Sequence, residues 1–110
     1  MILESFDSPG GHIATFETEE LTAHCPFDFG GPDFYSLTLV YKPDGLVVES
    51  RSLKKYVESY RGKEISAEAI AVQFHADVVE AIEPTAAYVR LEQARRGGIE
   101  ETVEVGNDPR

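Results

Sequence analysis

Apolar and polar residues alternate cleanly from Phe34 to Tyr41, with Tyr35, Leu37, Leu39 and Tyr41 on one side. A period of two predicts a half-buried strand. The stretch before it, His12 to Cys25, is rich in Thr, Phe and Ile and predicts another strand, antiparallel to the first across the Pro26 to Asp33 loop. Pro43-Asp44-Gly45 marks a turn, because Pro fixes one backbone angle and Gly tolerates the positive one. The period then changes. Leu53, Tyr56, Val57 and Tyr60 fall on one stripe of a helix that Gly62 should end. Ser66 is placed to cap a second helix carrying Ile70, Phe74, Val78, Ala81 and Ile82, which Pro84 closes. Ala87 to Ala94 and Ile99 to Val105 read as two strands joined at Gly97-Gly98, a pair suited to a tight hairpin. The order ββααββ implies an α+β layer in which two helices cover one face of an antiparallel four-stranded sheet. Such a sheet has edges, so assembly into something larger is expected.

Length and composition narrow the reading. At 110 residues with 42% apolar content the chain is expected to form a single domain spanning 1–110, with loose termini at 1–11 and 106–110. No apolar run is long enough to span a bilayer, and Met1 to Gly10 has no basic or greasy leader, so a cytoplasmic protein is expected. The one cysteine cannot form an internal disulfide or a multi-thiolate metal site. His12, His24 and His75 are scattered, and no metal is expected. Twenty acidic residues against ten basic ones give a net charge of −10, which disfavours binding to a phosphate backbone. The acidic excess also resembles that of proteins from salt-rich cells.

Four segments can carry chemistry. In His24-Cys25-Pro26-Phe27-Asp28-Phe29-Gly30-Gly31-Pro32-Asp33-Phe34 a thiol and two carboxylic acids share a Gly- and Pro-rich loop. Cys25 is either an inert buried residue or a nucleophile, with Asp28 or Asp33 as proton donor. Glu49 to Tyr56 contains Arg51, Lys54 and Lys55, three cations within five residues at a helix start. They form either a solvated face capped by Ser50 or an anion site using the free backbone N–H groups, as a phosphorylated cofactor would require. Glu68, in the first turn of the second helix, satisfies the helix dipole, and it is also a group that can accept two N–H bonds from a guanine-like edge. Arg95 and Arg96 lie at a hairpin tip, where arginines are usually idle.

Together, from about Leu21 to Asp108, these segments resemble the QueF family, NADPH-dependent nitrile reductases of queuosine biosynthesis, in its short single-module form. Cys25-Pro26 and Pro32-Asp33-Phe34 match its nucleophile segment. Glu49 to Tyr56 matches a Glu-Ser-Lys-Ser-hydrophobic-Lys signature associated with NADPH, with Arg51 replacing the first Lys, and Arg96-Gly97-Gly98-Ile99 matches a further turn. The resemblance implies a tunnelling fold (T-fold) and conversion of 7-cyano-7-deazaguanine (preQ0) to 7-aminomethyl-7-deazaguanine (preQ1) through a thioimide on Cys25. In this reading Asp33 is the proton donor. Glu68, Glu49 and Ser50 bind the substrate, and Arg51, Lys54, Lys55 and Arg96 hold NADPH. It also implies a homodecamer of two pentamers with active sites between subunits. Two departures stand out: the Cys-to-Asp loop is one residue longer than usual, and the family's His before the substrate-reading Glu is Ala67. The stretch Tyr60 to Ile65 resembles instead the archaeal QueF-like group, which adds ammonia to preQ0 in tRNA to form archaeosine. A non-catalytic purine- or pterin-binding module of the same fold is a third possibility.

Overall fold

The computed structural model describes residues 2–27 and 32–110, with Arg96 described by its backbone alone. Asp28 therefore lies outside the described residues. The elements are β1 (Ser5–Asp7), β2 (Ala14–His24), β3 (Pro32–Lys42), β4 (Leu46–Val48), α1 (Ser50–Glu58), α2 (Ala67–Ile82), β5 (Ala86–Arg96) and β6 (Ile99–Gly106). The long strands form one antiparallel sheet in the order β2-β3-β5-β6, so β2 and β6 are its edges. This is the α+β arrangement expected from the sequence.

The predicted alternation decides which face is buried. Tyr35, Leu37, Leu39 and Tyr41 of β3 are buried together with Val89 and Leu91 of β5. They meet Leu53, Tyr56 and Val57 of α1 and Ile70, Ala71, Phe74, Val78 and Ile82 of α2 in one core. Ser66 caps α2 by accepting the Ala69 N–H at 3.2 Å. At the other end Glu83 takes the left-handed conformation ahead of Pro84, which has no N–H with which to continue the ladder. Gly97 and Gly98 both have positive φ, as a tight hairpin between right-twisted strands requires. No helix among the described residues is long and apolar enough to cross a membrane.

Three expectations need correction. The start of the chain is not loose: β1 pairs antiparallel with β4, a strand too short to show periodicity, and Leu3 is buried together with Val47 and Val48 of β4. The end is also tied down, since the Asn107 N–H donates to the Ala87 carbonyl at 3.0 Å. Helix α1 stops at Glu58 rather than at Gly62. From Ser59 to Lys63 the backbone turns more tightly, with Tyr60 N–H bonding to the Val57 carbonyl and Lys63 N–H to that of Tyr60.

Candidate active site

The turn after α1 is stitched to the end of β2. His24 N–H donates to the Lys63 carbonyl at 2.8 Å, and Ile65 N–H donates to the His24 carbonyl at 2.9 Å. The next residue, Cys25, is thus held where β2 leaves the sheet, and it is only partly buried. A sealed apolar interior would have kept the thiol inert; this placement does not. On the neighbouring strand Pro32 lies opposite His24, and Asp33 opposite Ala23. Asp33 is 5% exposed and, by the period of two, shares the helix-facing side with Tyr35. Ala67 and Glu68 open α2 two and three residues beyond the Ile65 clamp, which brings the helix start to the same end of the sheet.

Electrostatic coupling shows how closely these groups gather. Burial pushes the Tyr35 phenol well above its ordinary pKa, and Asp33, Cys25, Glu101 and Glu68, in that order, push it further. Tyr35 therefore stays protonated, a neutral O–H donor in the middle of an acidic set. Glu68 and Glu101 form a carboxyl–carboxyl hydrogen bond. Two adjacent carboxylates do not both ionise readily, so the pair holds a proton between them. The hydrogen bond from Glu101, and next that from its own backbone N–H, holds Glu68 below the usual carboxylate range. Glu101 is pushed above that range by the bond to Glu68 and next by partial burial, so of the two it is the one that holds a proton to higher pH.

The sheet is irregular at this level. Between Thr18 and Leu21 in the β2–β3 pair, and between Gln93 and Arg96 in the β5–β6 pair, one strand carries an extra residue. Both bulges border the row Leu21, Tyr35, Gln93, Glu101 that crosses all four strands. Bulges of this kind twist a strand and re-aim its side chains, and they collect beside active sites.

The second predicted cluster lies elsewhere. Helix α1 is capped by Glu49 rather than by Ser50: one carboxylate oxygen accepts Arg51 N–H at 2.5 Å and the other accepts Ser52 N–H at 3.0 Å. The Arg51 N–H contributes most to holding the Glu49 carboxyl below its ordinary range. Ser52, buried, accepts the Glu4 N–H at 2.9 Å and donates to the Glu49 carbonyl at 2.7 Å, so it fastens the N-terminal arm to the helix. The cations divide between two sides. Arg51 and Lys55 border a depression with Ile2, Glu4 and Glu49. Ser50 and Lys54 border an apolar groove of about 250 Å³ with Phe16, Leu37, Leu53 and Phe74.

That groove lies beside Phe16 to Thr18 of β2. Cys25 is seven to nine residues farther along, about 23–30 Å at about 3.3 Å per residue, and five residues, about 17 Å, beyond Glu20, which also lines the groove. Within one chain, then, Cys25, Asp33 and Glu68 come together, whereas Glu49, Ser50, Arg51, Lys54 and Lys55 lie apart from them. Arg96 ends β5 at the Cys25 end of the sheet, opposite Ile99. Sequence reasoning missed Tyr35 and Glu101 as members of the site. A signal existed for the second. In the alternating run Ile99, Glu101, Val103, Val105 a single acid occupies a face otherwise made of apolar residues.

Comparison with known proteins shows the family. Residues 32–110 match the family model described as QueF-like protein. The NADPH-dependent 7-cyano-7-deazaguanine reductase of Syntrophus aciditrophicus is 43% identical over 93 residues, 84% of this chain and 66% of that protein. The protein of the same name from Trichormus variabilis is 43% identical over 78% of this chain and 62% of its own length. That from Synechococcus sp. strain CC9902 is 35% identical over 96% and 78% respectively. The chain thus spans just under two thirds of the length of the first two. Among solved structures, the archaeosine synthase QueF-Like in its apo form superposes with a TM-score of 0.80 at 29% identity, over 90% of this chain and 94% of that one.

Proposed function

This chain belongs to the QueF-like protein family, and on that premise we propose that it is an NADPH-dependent nitrile reductase converting 7-cyano-7-deazaguanine to 7-aminomethyl-7-deazaguanine. The observation that carries the reading is the convergence of the partly exposed Cys25 with Asp33, Tyr35 and the Glu68–Glu101 pair at one end of the sheet. The names of the sequence relatives support the substrate and the cofactor.

In the first step the Cys25 thiolate forms a bond to the nitrile carbon. One π pair of the C≡N bond moves to nitrogen, which takes a proton from Asp33, and the product is a thioimide. Going from nitrile to amine requires two hydrides and two protons, and NADPH, when bound, supplies the hydrides. The chain's own residues do the rest. Glu68 holds the base by its two ring-edge N–H groups, Asp33 moves protons between sulfur, nitrogen and solvent, and return of the thiol to Cys25 completes the cycle.

The cations at the start of α1 suit a cofactor bearing phosphates. The Arg51 side chain is 91% exposed, and its contact with Glu49 is a long 3.8 Å. The helix-start N–H groups of Arg51 and Ser52 are already taken by Glu49, so phosphates would be held by Arg51, Lys54, Lys55 and Arg96 side chains instead. Glu49 and Ser50 would border the substrate from the same side. Since Glu49, Ser50, Arg51, Lys54 and Lys55 lie apart from Cys25 in one chain, the reading requires a second copy to bring them to it, as in a decamer of two pentamers. Two unpaired sheet edges favour assembly, as do exposed Phe27, Phe34 and Ile99 around the Cys25 end.

A second reading, ammonia addition to the base in tRNA, is favoured by the likeness to the archaeosine synthase structure and by Ala67 in place of the family's His. Incubating the protein with 7-cyano-7-deazaguanine and NADPH, or with ammonia alone, separates the two. Loss of nicotinamide absorbance with formation of the amine is the expected result. Amidine formation without NADPH oxidation would overturn the reductase in favour of the synthase, and no adduct of any kind would leave a silent binding module.

A further inference from the structure

Glu101 occupies the helix-facing side of β6 beside a bulge, hydrogen-bonded to Glu68 and level with Tyr35 across the sheet. Neither the proposed chemistry nor the cofactor needs it. An acid on an otherwise apolar strand face is costly to fold around unless it does something. The base the site is read to bind presents three groups in line along one edge: an exocyclic amine and a ring N–H, both donors, and then a carbonyl oxygen, an acceptor. Its complement is two acceptors followed by a donor. One ionised carboxylate beside one protonated carboxyl offers that set, and two carboxylates do not.

We propose that Glu101 is a second substrate-reading residue, whose protonated carboxyl donates to the carbonyl oxygen of the guanine-like base while ionised Glu68 accepts from its two N–H groups. This rests on the reading of the site as one for a 7-deazaguanine nitrile. It adds that the pair distinguishes an oxo from an amino group at that carbon, because a 6-amino analogue presents N–H groups to the O–H of Glu101 and, with its ring nitrogen unprotonated, a lone pair to the carboxylate of Glu68. It also makes binding depend on pH. Glu101 meets Glu68 from α2 and lies level with Tyr35 of β3 across the uncharged Gln93 of β5; Asp33 from β3 and Cys25 from the end of β2 act on the same Tyr35, while neighbouring Arg95 is engaged by Glu100 at 2.7 Å. Among the described side chains no cation acts on the pair, so deprotonation of Glu101 leaves repelling carboxylates; affinity is highest between the lowered pKa of Glu68, which must be ionised to accept, and the raised pKa of Glu101, and it falls as pH rises through the latter.

The test uses the full chain carrying Cys25→Ala, so that binding is reversible, and calorimetric titration with 7-cyano-7-deazaguanine and with its 6-amino counterpart. Glu101→Leu is expected to weaken binding of the oxo base roughly 10- to 100-fold, as expected for losing a hydrogen bond to a buried polar group, and to narrow the discrimination between the two bases by a similar factor. Glu101→Gln, whose amide donates without titrating, should retain affinity within a few-fold and lose the decline at higher pH. Unchanged affinity and discrimination in Glu101→Leu overturn the proposal, as does a Glu101→Gln profile that still follows the parent. If the Leu variant does not fold, the Gln profile decides. If the Cys25→Ala parent itself fails to bind the oxo base, it is the assignment of the site that falls.

Discussion

The two ends of this molecule use polar residues in opposite ways. At the Cys25 end the side chains of Tyr35, Glu68 and Glu101 act on one another across β3, α2 and β6, with Asp33 beside them, and the proton affinities of Tyr35, Glu68 and Glu101 shift as a result. At the start of α1 the polar groups are spent locally: Glu49 on the helix N–H groups, Ser52 on the N-terminal arm, with the cations left in water on two sides of the helix. Mutually perturbed groups in a partly open position are the mark of chemistry. Satisfied groups with exposed charges are the mark of a scaffold that offers a surface. The same segment of similar sequence can therefore hold structural and binding residues side by side, and only geometry separates Glu49 and Ser52 from Arg51 and Lys55.

The strongest way to break this contrast is to delete the sulfur. Cys25→Ala should bring nitrile turnover below detection and remove any substrate-dependent mass adduct on the intact protein, while the denaturation midpoint stays close to that of the parent. An adduct that survives would move the nucleophile elsewhere. A large loss of stability would show that the Cys25 end is scaffold after all.

Much of this contrast was legible in the chain, and the part that was not has a physical reason. The four long strands and both helices follow from periods of 2 and 3.6, because burial of one face is what fixes them. β1 and β4, three residues each, carry no readable period; they exist because the Val48 N–H finds the Tyr41 hydroxyl at 3.0 Å and Glu49 N–H finds the Glu4 carbonyl. Cys25, Asp33 and Glu68 were reachable from their loop and helix-start settings and from family resemblance. Tyr35 looked like one more core aromatic, since nothing in a strand's alternation tells a buried phenol near acids from one near leucines. The cap of α1 was misplaced by one residue because Glu, seldom the leading choice at that position, competed with an adjacent Ser.

The scaffold end is sharpened by removing one hydroxyl. Ser52→Ala deletes both hydrogen bonds of a buried hydroxyl bridge and leaves the Glu4 N–H without its acceptor, at a cost of about 1–3 kcal/mol. For a domain of this size each 1 kcal/mol lowers Tm by about 4–8 °C. A fall of that order in thermal unfolding is expected, with the Cys25 adduct still formed below the transition. If the melting curve does not move and the adduct is lost, Ser52 belongs to the site rather than to the scaffold.

The smallest effect falls on the surface cations, and it tests whether the two sides of α1 do the same job. Lys54 stands over the apolar groove and Lys55 over the depression beside Glu49, so only one of them needs to face a given phosphate. Removing an exposed cation that holds a phosphate oxygen costs about 1 kcal/mol, which corresponds to roughly a five-fold change. Lys54→Ala should therefore raise the apparent Michaelis constant for NADPH a few-fold, leaving kcat and the thermal midpoint near their parent values. The rise should shrink in high salt, where the parent also loses the screened attraction. Equal rises for Lys54→Ala and Lys55→Ala would mean that one bound cofactor is gripped from both sides of the helix. A rise for one alone identifies the side that faces Cys25 of a second copy, and no rise in either would return the whole cluster to the role of a solvated helix face.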